Sequence, residues 1–299
     1  MNILITGASG FIGQNLVDYF IKEGIHNIIT LDLKPSTYNT NHYCLDISDF
    51  DNLSNIKEDI DIIYHLAAQS YGKGSLLEPE KDVDWNAKGT LNICRLAKLK
   101  NVKKIIYSSS MAVYGNKEVS KEKDPLDPLS NYGVSKLTGE FYIKKSGIDY
   151  TIFRLYNTYG KGQDLSNTSK GVVLAFTSQI VLGETNIKVT GDLNRFRDII
   201  YIDDVINALV LGIENVKTNN EIYNLSTNIK TTIKELINTI IQSSNKEKIK
   251  VTNIGSLPGD QFGNTGDNTK LLSLGWKPKT NLKTGIKIFY NYVKNNINE

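Results

Sequence analysis

A serine, a tyrosine and a lysine are spaced in this sequence so that together they could move a proton on an alcohol. Ser110 follows the apolar run 102–106 and is expected at the end of a strand. Tyr132 and Lys136 are four residues apart in a segment that predicts a helix over about 130–145, so both would lie on one helical face. Because solvated helix faces carry the same spacing, this interpretation needs support from the rest of the chain.

The chemistry expected of these side chains is acid–base catalysis on a hydroxyl group. An ammonium group beside a phenol favours the phenolate, so we expect Lys136 to lower the pKa of Tyr132 toward neutral pH. Ser110 could hydrogen-bond the substrate oxygen from which Tyr132 removes the proton. The three side chains would then deprotonate an alcohol or sugar hydroxyl while a hydride leaves the carbon.

The start of the chain predicts a site for a dinucleotide. An apolar strand pattern is followed by a glycine-rich turn and an amphipathic helix over about 10–23. Gly7 permits the tight turn, Gly10 lets the backbone approach a pyrophosphate, and Gly13 lets the helix pack on the strand. A strand, a glycine loop and a helix in this order are typical of dinucleotide binding. The turn residues expected at the cofactor are Gly7, Ser9, Gly10, Phe11, Ile12 and Gly13.

An aspartate at the end of the second strand indicates which dinucleotide is bound. The predicted strand 27–31 ends at Asp32, close to the position about 20 residues past the glycine loop where an acid holds the adenosine ribose. A carboxylate there repels a 2′-phosphate and therefore favours NAD over NADP, although Lys34 could weaken that preference. The alternative is an ordinary aspartate at a strand end.

Two further strand ends are expected to complete the cofactor site. A third short strand over about 43–45 leads to residues placed for the adenine edge, and a fourth over about 61–65 continues into small residues that let the chain pass close to the cofactor. His65 could be catalytic, but a structural role at the strand end is favoured. The residues expected to contact the cofactor here are Asp46, Ile47, Leu66, Ala67 and Ala68.

Regular alternation of strands and helices as far as about 150–155 predicts an α/β fold with a doubly wound parallel sheet. Ligands of such sheets bind at the carboxyl ends of the strands, where the glycine loop, Asp32 and Ser110 all fall. The segment Tyr71–Ser75 is interpreted as a mobile, substrate-facing loop because it contains two glycines, and Ser75 is a candidate substrate contact. A turn-rich stretch after Leu155 marks a change of pattern.

The length, charge, apolar runs, cysteines and histidines of the sequence indicate its domain number, partners and location. A chain of 299 residues is expected to form one large or two interleaved domains, and the formal net charge of +3 is too small to predict a nucleic-acid or membrane partner. No apolar run approaches the roughly 18 residues that span a bilayer, and the N-terminus enters a strand pattern directly, so a cytoplasmic location is expected. Cys44 and Cys94 are interpreted as buried free thiols. The histidines lack metal-ligand spacing, so no metal is predicted.

Taken together, these motifs resemble the extended short-chain dehydrogenase/reductase family, specifically its NAD-dependent nucleotide-sugar epimerase/dehydratase branch. The resemblance covers nearly the whole chain, and its motifs follow one another in the family's order. They are Thr6-Gly7-x-x-Gly10-x-x-Gly13, Asp32, Leu66-Ala67-Ala68, Ser108-Ser109-Ser110-x-x-Val113-Tyr114-Gly115, Tyr132-x-x-x-Lys136, Arg154-x-x-Asn157-x-Tyr159-Gly160, Arg197-Asp198, Asp203-Asp204-Val205 and Pro258-Gly259-Asp260.

The resemblance implies a Rossmann-like domain that binds NAD, over 1–160 and about 197–228. It also implies a smaller α/β domain that binds the nucleotide sugar, over about 161–196 and 229–299. Ser110, Tyr132 and Lys136 would be the catalytic set. Asn157 and Arg197 match positions that hold the substrate diphosphate, for which a guanidinium is well suited. The alternative for Arg197 is a surface salt bridge with Asp198. A homodimer packed through helices near 81–100 and 130–146 is also implied.

Two departures from the family pattern refine the expected activity. Related dehydratases place an Asp-Glu pair after the residue matching Ser110, and this chain has Met111 and Ala112, so a nucleotide-sugar epimerase acting at C4 through a 4-keto intermediate is favoured. Leu257 stands where an arginine often touches the diphosphate, which leaves the nucleotide base open. The alternatives are a ketoreductase, dehydrogenase or dehydratase of the same family, and less favoured, a non-catalytic dinucleotide sensor.

Overall fold

Short runs of isoleucine, leucine and tyrosine form the central strands, and both of their faces are buried. In the first strand Ile3, Leu4 and Ile5 are all 0% exposed, as expected for a parallel sheet that is covered on both sides. A computed structural model describes residues 1–168, 170–244, 246, 249–255 and 262–297. The strands are β1 (Asn2–Thr6), β2 (Asn27–Asp32), β3 (Asn41–Cys44), β4 (Ile62–His65), β5 (Lys104–Ser110), β6 (Val119–Ser120), β7 (Asp149–Leu155), β8 (Asn157–Tyr159), β9 (Asn186–Val189), β10 (Phe196–Arg197), β11 (Ile199–Tyr201), β12 (Glu221–Leu225), β13 (Thr231–Thr232), β14 (Lys250–Asn253) and β15 (Gly263–Gly266).

Helices lie between the strands in both halves of the chain. They are α1 (Phe11–Glu23), α2 (Phe50–Ser54), α3 (Gly72–Leu77), α4 (Pro79–Asp82), α5 (Gly89–Leu99), α6 (Asn131–Lys145), α7 (Val172–Val181), α8 (Ile202–Glu214), α9 (Ile233–Ser244), α10 (Thr269–Leu272) and α11 (Leu282–Asn296). A π-helical segment, Val83–Lys88, joins α4 to α5, and 3₁₀ turns occupy Met111–Tyr114 and Val216–Thr218.

The chain divides into two compact units. The first comprises Met1–Gly115, Glu122–Leu155 and Ile206–Asn224, and the second comprises Asn116–Lys121, Tyr156–Val205 and Leu225–Glu299. The boundary that the sequence indicated near residue 160 therefore falls after Leu155, and 197–205 belong to the second unit. The functions predicted for the two domains stay predictions.

A seven-stranded sheet with the order β12-β7-β5-β4-β1-β2-β3 forms the centre of the first unit. The pairs β1–β2, β1–β4, β2–β3, β4–β5 and β5–β7 are all parallel. Thr6 at the end of β1 lies in register with both Leu31 and His65, so the carboxyl ends of these neighbouring strands meet at one edge. The predicted α/β class with a doubly wound, Rossmann-like sheet is confirmed.

Helix α1 shows how the sequence positions the elements around this sheet. Its buried residues are Gly13, Leu16, Val17 and Phe20, a spacing of three, one and three that places them on one face of the helix. A second apolar layer joins strand residues such as Leu4, Ile29 and Ile105 to Ile93 of α5. The sheet and its helices thus hold the strand ends in fixed positions.

Three local predictions are wrong. The segment Tyr71–Ser75 is predicted to be a mobile loop, but from Gly72 it forms the first four residues of α3. The helix expected near 81–100 is interrupted by the π-helical segment. Cys44 is exposed rather than buried, since β3 is the edge strand of the sheet, whereas Cys94 is buried as predicted.

The described residues of the second unit form three small sheets. A four-stranded sheet has the order β13-β10-β15-β6, with β10 antiparallel to β13 and parallel to β15. Two parallel pairs, β8–β11 and β9–β14, complete its strands among the residues that the structure describes. Across both units, no helix within the described ranges is long and apolar enough to cross a membrane.

Candidate active site

Strand β5 and helix α6 bring the predicted serine and tyrosine together. Ser110 is the last residue of β5, and its hydroxyl accepts a hydrogen bond from the Ala112 amide at 3.2 Å, which fixes the serine at the strand end. Tyr132 is the second residue of α6, whose N-cap Ser130 accepts a bond from the Gly133 amide at 3.1 Å. The phenol of Tyr132 is hydrogen-bonded to Ser110.

The predicted fall in the pKa of Tyr132 is wrong for this structure. Burial raises the pKa of the phenol above its ordinary value, and the negative charge of Asp82 raises it further, while the hydrogen bond with Ser110 opposes both effects. The cause could not be predicted because the sequence does not show how far the phenol is withdrawn from water. Tyr132 is therefore a phenol at neutral pH and, once deprotonated, a strong base.

Lys136 lies one turn after Tyr132 and is almost completely buried, with 2% exposure. Its ammonium lies 4.4 Å from the centre of the Tyr107 ring, which is a cation–π distance. Burial lowers the pKa of Lys136 to about 7, against the opposing effects of the carboxylates of Glu140 and Asp82. The charge of Lys136 at neutral pH therefore depends on which anions lie near it.

A buried ion pair behind Lys136 was not predicted from the sequence. Glu140, one turn beyond Lys136 on α6, accepts two hydrogen bonds from Arg154 of β7, at 2.8 and 2.7 Å, and a third from Ser109 at 2.6 Å. The guanidinium also lies 4.7 Å from the centre of the Tyr114 ring. This network joins α6 to β5 and β7. The spacing of four between Lys136 and Glu140 was the available signal, but it did not show that both are buried.

His65 has the structural role that the sequence analysis favoured. The hydroxyl of Thr6 accepts hydrogen bonds from the Leu66 and Ala67 amides, both at 3.2 Å, and so donates its proton to His65 Nδ1 at 2.9 Å. Nε2 then donates to Thr90 Oγ1 at 2.9 Å. Burial, together with the charge of Lys136, lowers the pKa of the imidazole to about 3. The histidine is neutral and holds the segment 66–67 against β1.

The glycine loop fits a dinucleotide pyrophosphate. Gly7 has a φ of +70°, and a Cβ there would lie 2.7 Å from the Ala67 amide nitrogen, so only glycine fits this turn. A Cβ on Gly13 would lie 2.0 Å from the Gly7 carbonyl oxygen. Gly10 is the N-cap of α1 and provides no side-chain cap, so the first amides of the helix are available to an anion. Ser9, Phe11 and Ile12 belong to the same turn and helix start, and their contact with the cofactor stays a prediction.

Asp32 is hydrogen-bonded to the same glycine loop. One carboxylate oxygen accepts a hydrogen bond from the Ser9 amide and the other from the Lys34 amide, both at 3.0 Å. The carboxylate keeps further acceptor capacity and suits the vicinal hydroxyls of a ribose. It also places negative charge where NADP would carry a phosphate. The structure therefore supports the predicted preference for NAD.

Asp46 and Ile47 are fixed beside the π-helical segment. The carboxylate of Asp46 accepts bonds from the Ser48 amide at 2.8 Å and from the Trp85 indole at 3.2 Å. Ile47 is buried, and its carbonyl accepts a bond from Asn92 at 3.0 Å. Contact of these two residues with adenine stays a prediction, as does the contact of Leu66, Ala67 and Ala68 with the cofactor.

Ser75 has a different position from the one predicted. It is 0% exposed, and its hydroxyl donates to the Gly72 carbonyl at 2.7 Å and accepts from the Tyr132 amide at 3.2 Å. Its carbonyl accepts a further bond from Asn131 at 3.2 Å. Because the hydroxyl is used in joining α3 to the start of α6, the geometry assigns Ser75 to holding Tyr132 in place rather than to a substrate.

Both residues predicted to bind the substrate diphosphate lie in the second unit. Asn157 donates from Nδ2 to the Asp198 carbonyl at 2.9 Å, and Arg197 donates to the Phe196 carbonyl at 2.7 Å. The carboxylate of Asp198 is buried and accepts bonds from the Thr227 hydroxyl and from backbone amides. The alternative interpretation, a surface salt bridge between Arg197 and Asp198, is therefore wrong, because Asp198 is buried. Leu257 and the motif 258–260 lie outside the described residues.

Comparison with known proteins agrees with this geometry. The sequence profile of the NAD dependent epimerase/dehydratase family matches residues 3–226, so the chain belongs to that family. A curated relative from Methanocaldococcus jannaschii, provisionally named UDP-glucose 4-epimerase, is 36% identical over 98% of this chain and 99% of its own.

Two solved structures have the same fold over almost their whole length. The UDP-glucose 4-epimerase of Thermotoga maritima with UDP-glucose has a TM-score of 0.91 and 32% identity, and covers 99% of both chains. The Thermus thermophilus UDP-glucose 4-epimerase, in complex with NAD, has a TM-score of 0.89 and 26% identity, over 99% of this chain and 100% of that one.

Proposed function

We propose that this chain is an NAD-dependent nucleotide-sugar epimerase that inverts C4 of a sugar attached to a nucleoside diphosphate. The observation that carries the proposal is the Ser110–Tyr132 hydrogen bond at the end of β5, with buried Lys136 one turn away. Membership of the NAD dependent epimerase/dehydratase family and the similarity to two UDP-glucose 4-epimerase structures support it.

NAD would be held by the glycine loop, by Asp32 at the adenosine ribose and by Lys136 at the other ribose. The close approach of Gly7 to Ala67, which leaves no room for a Cβ, fits such a cradle. The NAD of the family supplies a reversible acceptor for the hydride at the sugar carbon. The residues of this chain bind and orient the sugar and move its proton.

In the proposed mechanism Tyr132 acts as its phenolate and removes the proton from the C4 hydroxyl, and Ser110 holds the same oxygen by a hydrogen bond. The sugar then presents its opposite face as a 4-keto group, and Tyr132 returns the proton. Because burial raises the pKa of Tyr132, the phenol must lose its own proton before the reaction, and the phenolate that forms is then a strong base. Asn157 and Arg197 of the second unit are proposed to hold the diphosphate, since an arginine binds phosphate oxygens in bidentate geometry.

Epimerisation is favoured over dehydration by the residues that follow Ser110. Eliminating water requires an acid that protonates the departing hydroxyl, and the 3₁₀ turn after β5 begins with Met111 and Ala112. Neither side chain can donate a proton. The product would therefore be an isomer of the substrate, and no net NADH would be formed or consumed.

The test is incubation of the purified protein with UDP-glucose and, in parallel, with GDP-, CDP- and dTDP-sugars, followed by NMR of the anomeric signals. We expect conversion to the C4 epimer without a change in NADH absorbance. Stoichiometric loss of NADH would instead identify a ketoreductase, and a 6-deoxy-4-keto product would identify a dehydratase. No change in any sugar would overturn the proposal.

We further propose that the chain forms a homodimer through α6 and the segment before α5. Val134 and Phe141 of α6 are 52% and 53% exposed, and Val83 of the π-helical segment is 56% exposed. Apolar side chains exposed together on neighbouring helices are typical of a protein–protein contact. A cytoplasmic location is proposed as well, because both cysteines are free thiols, as a reducing compartment keeps them.

A further inference from the structure

Asp82 is a buried carboxylate in the first unit to which the sequence analysis assigned no role. It ends α4, directly before the π-helical segment, and it is 0% exposed. One carboxylate oxygen, Oδ1, accepts a hydrogen bond from Asn86 Nδ2 at 3.0 Å. The other, Oδ2, is buried without a hydrogen-bond partner among the described residues. A buried carboxylate oxygen with no donor is costly unless positive charge lies near it.

The contacts of Asp82 connect it to the helix that carries the catalytic pair. Asn86, which holds Oδ1, also donates to the Ser135 hydroxyl at 3.1 Å. Ser135 is the neighbour of Lys136 in the sequence, and its hydroxyl donates to the Tyr132 carbonyl at 3.0 Å. The carboxylate is therefore fixed against α6 at the turn between Tyr132 and Lys136.

The groups around Lys136 differ in whether they are charged and in whether they have a guanidinium partner. The titratable groups facing the ammonium are His65 of β4, Tyr107 of β5, Tyr132 and Glu140 of α6, and Asp82 of α4. His65 is neutral, and the two phenols are protonated at neutral pH. Glu140 raises the pKa of Lys136 more than Asp82 does, but its carboxylate is also bound in bidentate geometry by Arg154. Asp82 is thus the one carboxylate of this group that has no guanidinium partner within the described chain.

We propose that Asp82 is a positioning residue of the active site, whose buried carboxylate acts together with Glu140 as a countercharge that keeps the Lys136 ammonium protonated. The inference rests on the proposed function for its meaning in catalysis, but the electrostatic claim can be tested without any substrate. Asp82 acts on Tyr132 as well, since a negative charge raises the pKa of a nearby phenol. Removing the charge should lower the pKa of both groups.

The experiment is a pH titration of protein labelled with ¹³C at the lysine ε-carbon, observed by NMR on the protein as purified, with its NAD content measured. Lys136 and Lys104 should stand apart from the other lysines, with pKa values near 7 and 8. The signal with a pKa near 7 should disappear in Lys136→Arg, which assigns it to Lys136. Lys104 is an internal control, because it is held at the start of β5 by the Gly212 carbonyl and Thr218.

In Asp82→Asn the pKa of Lys136 should fall by about one unit, as expected when one nearby opposite charge is removed, while Lys104 is unchanged. Asp84→Asn is the matched control, because Asp84 lies two residues away, is half exposed and pairs with Lys88 at 3.9 Å. It should leave the titration of Lys136 unaltered. An unchanged titration of Lys136 in folded Asp82→Asn would overturn the proposal.

A second measurement does not depend on the variant folding. In wild-type protein labelled at the aspartate carboxyl carbon, the Asp82 signal should show a step where Lys136 titrates, because two interacting groups report each other's protonation. A flat signal through that range would also refute the proposal. Neither titration needs a sugar, so a failure here is separate from a failure to find epimerase activity.

Discussion

At the scale of single residues, the proposed reaction depends on the hydroxyl of Tyr132. Tyr132→Phe keeps the ring and removes the group that exchanges the proton, so we expect turnover to fall by roughly 10²–10⁴-fold. The NAD content of the purified variant should be close to that of wild type, since the glycine loop and Asp32 are untouched. The measurement is the NMR epimerisation assay together with enzymatic determination of the released NAD.

Tyr142→Phe is the control for this variant, because Tyr142 lies on the same helix and packs against the apolar core. It should retain wild-type turnover. If Tyr132→Phe were as active as Tyr142→Phe, the proton would have to be moved by another group, and the mechanism given above would be refuted.

A second residue-scale prediction concerns the buried His65. Its pKa is about 3 in the folded chain and about 6.5 when unfolded, so between these values the unfolded chain binds a proton that the folded chain does not. The free energy of unfolding should therefore fall as pH falls through this window, by about 1.4 kcal/mol per pH unit from this group alone.

The measurement is urea unfolding of wild type and His65→Gln between pH 7 and pH 4.5. Glutamine does not titrate, so the variant should be less stable than wild type at pH 7 and lose less stability on acidification. The two curves should converge as the pH falls. Parallel curves would show that His65 does not titrate on unfolding as its burial requires.

The sequence identified the residues of the site better than it identified their electrostatics. Ser110 could be predicted at the end of a strand and Tyr132 on a helix, because strands and helices have regular sequence patterns. The burial that raises the pKa of Tyr132, and the bond between Glu140 and Arg154, depend on which helix face packs on the sheet. A charged residue on a helix is exposed in most proteins, so nothing in the sequence predicted this buried pair.

At the scale of elements, the contact between α1 and β1 depends on Gly13. A Cβ there would lie 2.0 Å from the Gly7 carbonyl oxygen and would push the helix away from the loop. We expect Gly13→Ala to lose both bound NAD and about 1–3 kcal/mol of stability, since overpacked sites cost that amount. Urea unfolding and the NAD content of the purified protein measure the two effects.

Gly72→Ala is the matched control. A Cβ at Gly72, the first residue of α3, would meet no atom within 4 Å. Alanine favours a helix over glycine by up to about 1 kcal/mol, so this variant should be as stable as wild type or slightly more stable. Equal NAD content in the two variants would contradict the packing argument for Gly13.

Some elements were predicted well. Helices α1 and α6, predicted over about 10–23 and 130–145, agree with their observed limits to within a residue, and β5 ends at Ser110 as predicted. The exceptions have local causes. Helix α3 contains two glycines in six residues and forms against helix propensity, and the π-helical segment is set by packing of Asn86 and Gly89 on their neighbours.

At the scale of the whole molecule, the proposed homodimer predicts a variant that separates the protomers. Phe141→Glu places a charge in the exposed apolar face of α6 and should shift the solution mass from about twice 33.4 kDa to the monomer value. Sedimentation or light scattering measures the mass. Val216→Glu, at a residue that is 79% exposed elsewhere in the first unit, should leave the mass unchanged. A wild-type mass of 33.4 kDa would refute the homodimer.

The interleaving of the two units has a consequence for how the protein is made. Strand β12, the edge partner of β7, is encoded after the whole of 156–205, which belongs to the other unit. On the ribosome, the six earlier strands of the sheet are therefore complete while the outer edge of β7 still has unpaired amides and carbonyls. Nascent chains that stop before residue 221 present that edge to one another, which is the geometry from which strand-to-strand aggregation begins.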